Sequence, residues 1–141
     1  MADGRGTTPG ELAIMLGGAV ALVFSFFDFY TAPYGSAKVW TTGLFPVAPL
    51  MVVFVTIMAA QVALITLTHI GLPARVLGFT WVQVHLILGF FAAVNAVAWL
   101  LLNKGGRSFG IGFWGIVLGC AAAFVGSFLV STERGGPQSG R

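Results

Sequence analysis

Pro46-Val-Ala-Pro-Leu-Met-Val-Val-Phe-Val-Thr-Ile-Met-Ala-Ala-Gln-Val-Ala-Leu-Ile-Thr-Leu-Thr68 carries no charged residue, and its reading decides the fold. A helix needs about 20 apolar residues to cross roughly 30 Å of hydrocarbon, and this stretch has that length. Pro46 and Pro49 sit in its first turns, where a missing N–H matters least. Three further stretches qualify: about Glu11 to Tyr30, Gly78 to Leu102 and Ile111 to Val130. Backbone polar groups must be paired in lipid, which leaves helices or a closed barrel. The runs are too long and too uniformly apolar for barrel strands, which alternate over about ten residues. The expected fold class is all-α: a membrane-embedded antiparallel four-helix bundle over residues 11–130.

Composition agrees. The chain is 57% hydrophobic and 8% charged, whereas a soluble domain carries about 25% charged residues. Its solvent must be largely lipid. The net charge is +3 from seven basic and four acidic residues. That is too few cations for a nucleic-acid footprint, and they are scattered where anionic headgroups can meet them. The single cysteine, Cys120, excludes an intramolecular disulfide and a multi-cysteine metal or redox centre. The first apolar run is not read as a cleaved signal peptide. The bulky Phe26-Phe27-Asp28-Phe29-Tyr30 that follows is a poor substrate for a peptidase that requires small side chains.

Turn-rich stretches separate the runs. Thr31 to Phe45 is the longest, and its apolar anchors Tyr34, Val39, Trp40, Leu44 and Phe45 suggest a cap lying along the interface. The polar tails, 1–10 and 131–141, are expected to be disordered. An even number of spans puts both tails on one side. Arg5, Arg75, Arg134 and Arg141 lie on that side and Lys38, Lys104 and Arg107 on the other. The positive-inside rule then favours cytoplasmic tails.

Helices in lipid associate where small residues let backbones come close. The fourth run carries Gly112, Gly115, Gly119, Ala122 and Gly126 on one face, and the first carries Gly17, Ala21 and Ser25. These stripes serve either packing within the chain or a homodimer seam. Polar residues inside the membrane are costly and point to function. Trp81, His85, Leu88, Ala92, Asn95 and Trp99 share one helical face, so His85 and Asn95 are expected to point inward together. Gln61 or a backbone carbonyl is the expected partner of His85. His69 is shallower by a turn or more, which argues against a pair of axial haem ligands. Asp28 ends the first run, within reach of Lys38, Lys104 or Arg107, and Glu11 opens the same run, where its charge suits a helix N-terminus.

No HExxH, GxSxG or phosphate-binding glycine loop occurs. No catalytic residue, cofactor or metal site is assigned. Small multidrug-resistance exporters are similar in size and span count, but their function rests on a glutamate buried mid-membrane in the first helix. Glu11 lies at the interface, so that function is not carried over. Phe24-Ser-Phe-Phe-Asp-Phe-Tyr30 and Gly110-Ile-Gly-Phe-Trp-Gly115 resemble patches of uncharacterised small four-span membrane proteins of actinobacteria. That resemblance implies the four-helix architecture and a plasma-membrane location. The leading expectation is a non-enzymatic accessory or scaffold protein that acts by helix–helix contacts in the bilayer, on a membrane-protein partner or a second copy of itself. The rival is a small dimeric transporter or channel using His85, Asn95 and Gln61.

Overall fold

The computed structural model describes residues 6–41, 44, 46–68, 70, 72–102 and 107–135, with positions 134 and 135 by backbone alone. These residues are mostly helical. They form α1 (Pro9–Phe24), β1 (Asp28–Ala32), β2 (Gly35–Lys38), α2 (Val47–Thr68), α3 (Trp81–Leu101), β3 (Ser108–Phe109) and α4 (Ile111–Gly135). Three of the helices, α2, α3 and α4, are long and apolar enough to cross a membrane.

The first run departs from expectation. α1 has 16 residues, about 24 Å at 1.5 Å per residue. It ends at Phe24, and Asp28–Ala32 is a strand rather than the last turns of a helix reaching Tyr30. The predominance of helix fits the all-α expectation, to which the structure adds a short three-stranded antiparallel sheet in the order β2-β1-β3. Ser25 closes α1. Its N–H reaches the Ala21 and Leu22 carbonyls at 3.0 and 3.2 Å. Its hydroxyl donates to the Leu22 carbonyl at 2.6 Å and accepts the Trp40 indole N–H at 3.1 Å. Beyond it, aromatic residues that suit a pleated surface find backbone partners on two sides: Tyr30 opposes Ala37 on β2 and Phe109 on β3. A register shift between Asp28 and Tyr30 marks a bulge. A bulge breaks the alternation of a strand, and here the consecutive Phe29 and Tyr30 are both buried.

The helix ends also differ from the expected limits. Pro9 and Gly10, assigned to a disordered tail, are helical because Thr8 caps α1. The Thr8 hydroxyl accepts from the Glu11 N–H, and the Glu11 carboxylate accepts from the Thr8 N–H, a reciprocal capping box. At the other terminus α4 continues past Val130. The Ser131 and Thr132 hydroxyls donate to the Phe128 and Leu129 carbonyls, at 2.6 and 2.8 Å, instead of competing for the helix. Of the tails, residues 1–5 and 136–141 lie outside the described residues. α3 starts one turn later than expected, after Leu77 and Gly78, whose φ values of 52° and 86° form a tight turn bonded both ways between Val76 and Phe79. Thr80 and Gln83 then make a second capping box.

Packing is most extensive between α1 and α4, and α2 and α3 complete the core against them. The small residues of α1 and α4 face each other. A Cβ on Gly17 would lie 2.6 Å from the Gly119 carbonyl oxygen and 3.2 Å from the Ala122 Cβ. One on Gly119 would lie 2.5 Å from the Gly17 carbonyl and 2.8 Å from the Ala21 Cβ. Gly126 meets the Gly10 carbonyl, Gly112 the Phe27 carbonyl, and Gly115 the ring of Phe24. At these distances neither backbone has room for a side chain. Gly119→Leu or Gly17→Leu is therefore expected to exceed the usual ~1–3 kcal/mol cost of overpacking, whereas Ala121→Leu, on the exposed face of α4, should be tolerated. Thermal unfolding in detergent separates these outcomes; equal midpoints for all three variants would refute the close approach. Cys120 is fully buried, so it should resist maleimide until the protein unfolds.

Candidate functional site

The polar side chains fall into separate groups. His85, in the second turn of α3, is 4% exposed. Its Nε2 stands 3.1 Å from the Gln61 Oε1 on α2. An amide oxygen only accepts, so this contact requires the proton on Nε2. Glu11 from α1 and Val130 from α4 close the same place, with Trp81, Val62 and Ile65. All four helices thus meet around one small cavity of about 10 Å³, about the room one water needs. Glu11 reaches it because the capping box holds that carboxylate at the first turn of α1.

Asn95 does not join this group. It lies ten residues further along α3, about 15 Å away, and its amide donates to the Val47 carbonyl at 2.8 Å. The buried face of α3 is rotated from the expected one. It runs through His85, Gly89, Ala92 and Ala96, with Leu88, Asn95 and Trp99 at its margins. Gly89 sets the rotation: a Cβ there would stand 3.1 Å from the Ser127 Oγ and 3.2 Å from the Phe124 Cα. Gln61 and Asn95 therefore tie α2 to α3 at two levels, with small apolar residues between.

Asp28 is at the opposite end, opening β1, with Lys38 as its cross-strand partner in β2. Of the cations suggested for it, Lys38 is the one the strand pairing sets opposite. Lys104 and His69 lie outside the described residues. The carbonyl of Asp28 packs on Gly110, whose N–H donates to the Phe29 carbonyl at 2.9 Å. The two sequence patches, Phe24 to Tyr30 and Gly110 to Gly115, consequently form one unit. Phe29 is at its centre, with edge contacts to Tyr30, Trp99 and Phe113 at centroid distances of 5.0, 5.6 and 5.1 Å. Phe109 stacks between Tyr30 and Phe113. Burial pushes the Tyr30 phenol above its ordinary value, and the nearby Arg107 charge partly offsets the rise.

Among the described residues, two buried polar atoms, the Thr56 Oγ1 and the Trp99 Nε1, have no hydrogen-bond partner. Thr56 escaped notice in the sequence because a threonine hydroxyl usually bonds its own helix. Among the described residues no three His, Cys, Asp or Glu groups come together as metal ligands. No family model, curated protein or solved structure matches the chain. Nothing in these comparisons bears on the resemblance to actinobacterial four-span membrane proteins.

Interhelical hydrogen bonds in membrane proteins contribute on average about 0.6 kcal/mol, with a maximum near 1.7. A double-mutant cycle with His85→Leu and Gln61→Leu should return a coupling within that range. Thr56→Val, which removes an unpartnered hydroxyl, should leave the melting temperature unchanged or raise it.

Proposed function

We propose that the chain is a multipass protein of the plasma membrane, an antiparallel four-helix bundle with cytoplasmic tails. It works without catalysis, by contacts of its outer helix faces with another membrane protein. The apolar length of α2, α3 and α4 supports the membrane setting. The distribution of Arg and Lys supports the orientation. The observation that carries the accessory role is the arrangement of the polar groups. His85 with Gln61, and Asn95 with the Val47 carbonyl, tie helix to helix and are separated by small apolar residues. That arrangement fixes a shape rather than lining a path.

The partner-facing surface in this reading is not the glycine stripe of α4, which α1 covers. It is α3. Of the apolar window of α3, 22% of residues are buried, against 50% for α4. Ile87, Phe90, Phe91, Val94 and Val97 stand on its exposed face. Crosslinked pull-down of the tagged protein from native membranes, read by mass spectrometry, tests this. The expected result is one stoichiometric partner crosslinked through α3. Recovery of the chain alone would overturn it.

A transporter reading draws support from the cavity that Glu11 and His85 share, since a carboxylate and an imidazole can exchange a proton through one water. It requires proton or solute flux in proteoliposomes that disappears in His85→Ala. Flux equal to that of empty vesicles would remove it.

A further inference from the structure

A second, larger cleft opens at the sheet end. It measures about 460 Å³, within the range of small-molecule sites and far beyond the needs of a single water. One wall is the β1–β2 hairpin, with Tyr30, Tyr34 and Ser36. Thr41 and Leu44 follow from the segment leading to α2, and Arg107 approaches from the segment before β3. No acidic side chain is among the described residues lining it.

The chemistry of this lining is selective. Arg107 supplies a planar, permanently charged donor fork that matches phosphate oxygens. Ser36 and Thr41 add hydroxyls that donate to the same kind of acceptor. The Arg107 guanidinium lines the cleft while remaining exposed, near enough for its charge to act on the Tyr30 phenol. Ala32, Ala37 and Leu44 give an apolar surface beside the polar one. A bare phosphate would leave most of this volume unfilled. Tyr34, fully exposed at the hairpin tip beside Pro33, is the kind of aromatic that settles at a membrane–water interface.

We propose that this cleft binds a phosphate ester carrying a small organic group, with Arg107 on the phosphate and the Ala32–Ala37–Leu44 surface under the organic part. The site lies at the end of the helices, beyond Phe24 and before Ile111, which is headgroup depth in the multipass reading. An anionic phospholipid headgroup is therefore the favoured source, and that assignment of source rests on the multipass reading. The binding chemistry itself does not.

The test uses the full-length protein, delipidated in a neutral detergent and titrated with dihexanoyl-phosphatidylglycerol or with glycerol 3-phosphate. Binding is read by calorimetry and by native mass spectrometry. One saturable lipid site is expected, weakened at least tenfold in Arg107→Gln and partly retained in Arg107→Lys. Arg75→Gln, at the other end of the molecule, should bind as the parent does. Maleimide protection of Cys120 verifies that each variant is folded. Equal Arg107-dependent affinity for glycerol 3-phosphate would uphold the site and identify its ligand as a soluble ester. Binding unaffected by Arg107→Gln in a folded protein, or no saturable binding of either probe, would overturn the proposal.

Discussion

The contact of the α1 backbone with the α4 backbone sets the rest of the molecule. In hydrocarbon, helices gain little from burying apolar surface, and dispersion between closely packed atoms has to supply the cohesion. Gly17 against Gly119 brings the two chains to carbonyl distance. Once that pair is in place the antiparallel register is fixed in both directions. Toward one end, Gly10 meets Gly126, and the capped start of α1 carries Glu11 to His85. Toward the other, Phe24 lies on Gly115, the Phe27 carbonyl on Gly112 and the Asp28 carbonyl on Gly110. The strand pairing of Tyr30 with Phe109 is the continuation of that register beyond the helices.

The two ends have different characters because of what the chain does after each helix stops. At the tail end, capping side chains close the helices, and the polar groups turn toward one another around a space for a single water. At the sheet end, the chain leaves α1 through Ser25 and builds a hairpin that stands over an aromatic cluster. Trp40 holds the far strand of that hairpin to the end of α1. One end closes around that small space, while the other opens into the cleft beside Arg107.

Much of the helical architecture was legible in the sequence, because charge-free runs of spanning length have few other readings. Pro46 to Thr68 is the clearest case. The end of α1 was not legible. Phe26 to Tyr30 is as apolar as the helix before it, and its strand partners on β3 are supplied from the far end of the chain. The face of α3 was approximated by periodicity, but its rotation depends on how near α4 approaches at Gly89, a tertiary distance. His85 and Gln61 were singled out because each is polar within an apolar run, and they meet. Asn95 and Asp28 were singled out on the same ground, and the fold distributes them to other levels. The Arg107 cleft had no signature in the sequence, since its walls come from two strands and two connecting segments that only the folded hairpin brings together.

In the multipass reading proposed above, the shortness of α1 has a consequence for the surrounding lipid. A helix of about 24 Å beside three of spanning length presents a bilayer with unequal hydrophobic heights on its different sides. Lipids next to α1 must shorten or tilt, and the cost is a fraction of a kcal/mol for each ångström of mismatch. Phe26 and Phe27, exposed just past the helix end, recover part of the missing height. The remaining difference gives the molecule an orientation preference within the membrane plane. In that reading its α1 side suits thinner bilayer, and its α3 side bilayer of ordinary thickness.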